Sequence, residues 1–413
     1  MRKFAICATV GVMAIGGFAE MLDRPSGIKI GQRMTLRPYV SLSATYDSNV
    51  NAYNSSGGNN DDVLWTVNPA FSLDYKGENW SLLLNGYYNY RAYSKGENVN
   101  NYNQHSYGET LRFNYATSRG NEKGWTLMLT ESFRQITMAD DLSYGNGTAY
   151  SADRYQFTTS GGIQRRFNEN WHAGASASYY LLDYENDTAR SRYAQYGWER
   201  WSAGLDAGYA PSKWLDFIGS LGYQGYQQDN VSLSRLSQES QGYTAQVGLG
   251  SYATERISYR VLGGWSRFEY GNTDSADGFV YTISGNWRIT DTLSTMLLAT
   301  SYYQPSERQQ SSQSRVDSVS WGISKSWVRN KLRTSLDLTY RRTTHESVNY
   351  YSAVDYQLDV ATARIRADYI LNRFLTAFIS GEYQQSWNDQ SERMNGYCDY
   401  DRWRTSIGLK LTY

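Results

Sequence analysis

Residues 63–93 read "VLWTVNPAFSLDYKGENWSLLLNGYYNYRAY". Taken alternately, 63–76 puts Trp65, Val67, Phe71, Leu73 and Tyr75 on one face. After the link "GEN" at 77–79, the run from Trp80 puts Leu82, Leu84, Tyr88 and Tyr90 beside it, with Asn85, Asn89 and Arg91 opposite. A period of two is the signature of a strand, because successive side chains leave a pleated backbone on opposite sides. Two such runs joined by a three-residue polar link make a hairpin with one apolar and one polar face.

The same unit recurs along the chain. About fourteen residues of alternation and a short turn lead into a second alternation, and a long polar loop follows. Counted this way, eighteen strands run from residue 34 to residue 413. The short links include "NEN" (168–170), "PSK" (211–213) and "LNR" (371–373). The long ones, such as 51–62, 139–152 and 229–240, are rich in Ser, Asn, Gly and Asp, as solvated loops are. Short turns on one side and long loops on the other predict an all-β fold, a transmembrane antiparallel β-barrel of about 18 strands. A soluble sandwich or propeller also has many strands, but it does not alternate its links so strictly.

Composition agrees. The 413 residues include 38 Tyr, 13 Trp, 12 Phe and 36 Gly but only 5 Pro. So many aromatics exclude a disordered chain, and a mean hydropathy of −0.64 argues against transmembrane helices. In hydrocarbon an unpaired backbone group costs several kcal/mol, so a spanning sheet must close and leave no edge. Trp80, Trp125, Trp171 and Trp214 each follow a short turn. They are expected to form an aromatic girdle at one membrane height.

The N-terminus, "MRKFAICATVGVMAIGGFAE", has two basic residues, an apolar stretch from Phe4 to Ile15, and small residues at Gly17 and Ala19. That is the layout of a signal peptide over 1–19, cut after Ala19. Cys7 leaves with it and Cys398 remains alone, so no internal disulfide forms. Loss of Arg2 and Lys3 turns the balanced 40 basic and 40 acidic residues into a slight acidic excess, which does not suit nucleic acid. Residues 20–33 are expected to be an N-terminal periplasmic segment, near enough to enter the barrel's lower mouth. The barrel itself is placed at 34–413.

If the apolar set faces lipid, the other set lines the lumen. By parity the last four strands send Arg333, Asp337, Arg341, Arg364, Arg366, Asp368, Glu382, Gln384, Arg404 and Lys410 inward. These residues are the expected pore lining. They are either a network of Arg–carboxylate pairs that keeps the wall polar or a charged constriction that selects solutes. A lumen of eighteen strands is too wide for side chains to fill, so something narrows it. Loop 139–152, with Asp140, Asp141, Tyr144 and Tyr150, is one candidate.

An enzyme is not indicated. His105, His172 and His345 lie far apart along the chain, and no GxSxG, P-loop, HExxH or CxxC occurs. The acidic pairs Asp61–Asp62 and Asp140–Asp141 lack the spaced ligands of a dedicated Ca²⁺ site and read as solvated loop charges. No cofactor and no metal is expected.

The first strand and its exit, "PYVSLSATYDSNV" (38–50), resemble the opening strand of the β-barrel porin-2 family of outer-membrane proteins. Tyr46, Asp47, Asn49 and Val50 carry the match, an aromatic–Asp–x–Asn–aliphatic run. The resemblance implies a bacterial outer-membrane barrel that acts as a porin. Some similar barrels accompany exopolysaccharide or protein-sorting loci, so polysaccharide export is the alternative, and a closed structural barrel is a third. The last residues, "SIGLKLTY" (406–413), look like the signal read by the outer-membrane assembly machinery, with Ile407, Leu409 and Leu411 toward lipid and Tyr413 at the interface. That strand is expected to pair with 38–46 and close the barrel. The expected partners are therefore the lipid bilayer, the assembly machinery and small hydrophilic solutes or polysaccharide.

Overall fold

In the computed structural model the described residues are 27–49, 61–94, 104–117, 124–137, 153–184, 198–228, 239–251, 256–270, 275–305, 311–328, 330–347, 356–388 and 399–413. The expected signal peptide, loop 139–152 and Cys398 lie outside them. The strands are β1 (Ile28–Ile30), β2 (Met34–Asp47), β3 (Asp62–Lys76), β4 (Trp80–Tyr93), β5 (Gln104–Ala116) and β6 (Gly124–Thr137). Next come β7 (Asp153–Arg166), β8 (Trp171–Tyr184), β9 (Trp198–Ser212), β10 (Leu215–Gln228), β11 (Glu239–Gly250), β12 (Ile257–Tyr270) and β13 (Ser275–Arg288). The last are β14 (Leu293–Pro305), β15 (Ser311–Trp327), β16 (Leu332–Ser347), β17 (Tyr356–Ile370), β18 (Leu375–Asn388) and β19 (Tyr400–Thr412).

From β2 to β19 each strand pairs antiparallel with the next, and β19 returns to β2. These eighteen strands form a closed barrel. The expected seam is present, with Leu411 opposite Val40, Leu409 opposite Leu42 and Ile407 opposite Ala44. Closure pairs both edges of the sheet and so meets the requirement that hydrocarbon imposes.

A nineteenth, three-residue strand modifies the reading of 20–33. β1 turns back at Gly31, whose φ of +67° favours glycine, and pairs with Met34–Leu36. Tyr413 donates to the Pro38 carbonyl at 3.1 Å, so β1 covers the edge of β2 just past the last residue of β19. Residues 28–30 therefore extend the wall at the seam and do not enter the mouth.

The two faces separate as the alternation dictates. Val40, Leu42, Leu205, Leu221, Val247, Ile365, Ile379 and Ile407 point outward and are exposed. Trp80, Trp125, Trp171 and Trp214 are exposed near the short turns, with Trp214 in the turn ahead of β10 rather than at a strand start. Trp287 and Trp327 stand with them. A second, outer set consists of Trp65, Trp201, Trp265 and Trp403. Just above it, aromatic donors hold outward carboxylates: Trp265 to Asp277 at 3.0 Å, Tyr179 to Glu199 at 2.6 Å, Tyr340 to Asp359 at 2.7 Å and Tyr383 to Asp401 at 2.9 Å. Indoles and phenols belong where hydrocarbon meets water, so these pairs mark the outer edge of the apolar band. Glu109 and Glu131 are exposed outward-facing carboxylates inside that band. Acidic residues there cost less than Arg or Lys.

Candidate functional site: the charged and aromatic walls of the lumen

Strand register places the residues expected to line the pore on the inner face and shows how they meet. Asp337 of β16 is opposite Arg364 of β17, Arg364 opposite Glu382 of β18, Glu382 opposite Arg404 of β19, and Arg404 opposite Asp47 of β2. Asp62 of β3 ends the row. Charges alternate in sign from Asp337 to Asp47.

The contacts follow the register. Arg364 donates to Glu382 from Nε at 2.8 Å and through its Nη2. Glu382 also receives Arg404 at 3.4 Å, and Arg404 donates to Asp47 at 3.0 Å. Arg366 grips Asp368 on its own strand at 2.7 Å. The Arg364 side chain is 56% exposed, which for an inward-facing residue means exposure to a water-accessible lumen. Arg333 is opposite Asp368, Arg341 opposite Val360, Gln384 opposite Thr362, and Lys410 stands over the Tyr39 ring at 3.9 Å.

Two members of this wall were not singled out from sequence as a pair. Arg402 is 3% exposed and donates to both Asp47 oxygens, at 2.9 and 3.0 Å. Asp47 is 1% exposed and also accepts the Asn49 backbone N–H at 3.1 Å. The aromatic–Asp–x–Asn run thus acts at the seam: Asp47 clamps two arginines of the last strand, and Asn49 donates to the Asp401 carbonyl at 3.2 Å. Charge-assisted, forked contacts of this kind are the strongest available to side chains.

The opposite wall is aromatic. Tyr180 stacks on Trp198 at 4.7 Å, Trp198 meets Tyr226 at 5.9 Å, and Tyr226 meets Phe268 at 5.6 Å. Arg200 stands over Tyr180 and Tyr226. Phe268 is fully buried although it faces inward. Its cover is Tyr303 of β14, which packs with Tyr226, Phe268, Ala276 and Val280. The Tyr303 carbonyl accepts Gln224 of β10 at 3.2 Å, four strands away, and Tyr302 faces Arg200 of β9. The upper end of β14 therefore leans into the lumen. Among the described residues this stretch of wall strand narrows the barrel; loop 139–152 lies outside them.

Near the lower mouth His172 of β8 contacts Asp216 of β10 at 2.9 Å, reaching across Gly208 of β9. A Cβ on Gly208 would lie 2.3 Å from His172 Nε2, so only glycine permits the contact. Arg260 of β12 faces Asp206 and Asp216 from the next part of the wall. His105 contacts Tyr88 on the outer face, well away from His172. Asp61 and Asp62 do not converge either: Asp62 is buried inward, whereas Asp61 accepts Tyr46 outside at 3.5 Å. Among the described residues no three His, Cys, Asp or Glu side chains gather as a metal site.

A closed antiparallel barrel with an apolar belt, two aromatic girdles and a polar lumen is a transmembrane barrel of the outer-membrane type. The family described as "Putative beta-barrel porin 2" matches residues 24–413, and the chain belongs to it. Its place is the bacterial outer membrane, with the lipid bilayer around it. Among curated proteins none matches.

Solved structures similar to this chain include the following three. The FrpB iron transporter from Neisseria meningitidis (F3-3 variant) has a TM-score of 0.43 and 12% identity over 85% of this chain and 62% of that one. The chain thus spans less than two thirds of that transporter. OpdK from Pseudomonas aeruginosa has 0.43 and 9%, covering 92% of this chain and 99% of that one. OccAB3 from Acinetobacter baumannii has 0.42 and 9% over the same shares.

Proposed function

We propose that the protein is a porin-like channel that passes small hydrophilic solutes across the outer membrane by diffusion, without a catalytic step. The row Asp337–Arg364–Glu382–Arg404–Asp47 carries this reading. It gives one wall of a wide lumen a line of ordered charges beside water-exposed arginine, which is how a passive pore filters by charge and size. In this reading residues 1–19 are a cleaved signal peptide and β19 is the strand read during assembly.

The arginines are the test. Replacing Arg364 and Arg366 by Ser leaves Glu382 and Asp368 on the wall and makes the lumen more negative by two charges. In a planar bilayer under a salt gradient, the reversal potential of the double variant is expected to move toward cation preference. An unchanged potential would mean that these side chains only brace the wall.

A further inference from the structure

Seventeen of the eighteen wall ladders hold for most of their length; the β13–β14 ladder stops early. It ends at Thr282 opposite Thr300, although β12–β13 continues to Ser275 and β14–β15 continues to Pro305. Thr282 lies five residues above the lower-girdle Trp287. At ~3.4 Å per residue and ~40° of tilt that is about 13 Å, roughly half of the ~25 Å apolar band. The gap therefore opens within the outer-leaflet half of the wall and runs past the outer girdle, where Trp265 is opposite Phe279.

Side chains close what the ladder leaves open. The Tyr303 hydroxyl crosses the inner side of Gly278 and donates to the Asp277 carbonyl at 3.4 Å. On the outside, Tyr281 of β13 faces Asp317 of β15, with Arg315 holding Asp317 at 3.1 Å. Behind this closure lies a buried apolar cluster of Tyr226, Phe268 and Val280, with Trp198 packed against it. In front of it Phe279 is 54% exposed on the lipid side. Among the described residues this stretch of edge has no β13–β14 ladder, and an edge without ladder partners at this depth is costly in hydrocarbon. Exposed Phe279 outside and buried apolar side chains inside a side-chain closure are what a path for an apolar molecule needs, and ions crossing the barrel have no use for it.

We infer that the upper β13–β14 seam is a side port between the lumen and the outer leaflet for small apolar molecules of aromatic size, with Tyr303 as its stopper and the upper part of β14 as its flap. This path lies opposite the charged wall and does not depend on the hydrophilic pore.

The port is tested by labelling Val280→Cys in a Cys7→Ser, Cys398→Ser background, with the full chain folded in lipid vesicles. Val280 lies behind the stopper and is buried. Two reagents are compared: N-(1-pyrenyl)maleimide, which partitions into lipid, and a sulfonated maleimide confined to water. Removing the stopper with Tyr303→Ala is expected to speed the pyrenyl reagent by about tenfold, the scale of a lost hydrogen bond with its packing, and the sulfonated reagent far less. An equal gain for both would overturn the port and make Tyr303 a lid on the water path. No gain for either would also overturn it. If Tyr303→Ala does not fold, Tyr281→Phe loosens the outer contact alone and is read in the same way.

Discussion

Asp47→Ala is expected to destabilise the barrel by about 3–5 kcal/mol, the usual cost of leaving a buried charge without its partner. Asp47 takes Arg402 in a forked contact and Arg404 at 3.0 Å, and all three lie where β19 meets β2. Removing the carboxylate leaves Arg402 buried and positive beside a second guanidinium. The loss falls on the seam, the last ladder a closing barrel forms. Urea titration of the refolded protein in detergent or lipid measures it, with the transition expected at clearly lower urea than for the parent chain. Asp47→Asn, which keeps hydrogen bonds but not charge, should fall between the two. A transition unmoved by Asp47→Ala would show that the cluster adds nothing to closure.

Val247→Arg is expected to block insertion. Val247 is 72% exposed on the outer face of β11, opposite Gly219 and Gly263 and between the two girdles. An arginine at mid-depth on the lipid face costs ~2–4 kcal/mol. Its neighbours here offer no carboxylate: Leu249 and Ala245 flank it on the same strand, and Val261 and Leu221 stand close by. The measurement is the share of chains that reach the compact, heat-modifiable form when refolded into vesicles. Gln246→Arg, one residue away and inward, should refold normally. If the two variants behaved alike, the assignment of inner and outer faces would be wrong.

The period of two made the barrel legible, because a one-residue slip in a strand would swap its faces and no such slip fits the alternation. The exposed Trp near the short turns were legible for a related reason, since each indole follows a turn. Partners inside the lumen were not. Parity puts Arg364, Glu382 and Arg404 on the inner side, but which carboxylate meets which arginine depends on strand offset, which no single strand encodes. The Asp47–Arg402 contact spans 355 residues and exists only after closure. Phe268, Val280 and Val316 are apolar at inward positions, against the rule for a polar lumen. That exception was the available signal that something inside covers them, though not that β14 does.

Single-channel recording of the refolded protein in a planar bilayer tests the central claim most directly. A water-filled eighteen-stranded barrel should give steady steps on the nanosiemens scale in molar salt. Silence at every voltage, from protein shown to be folded and inserted, would contradict a channel and leave a closed barrel.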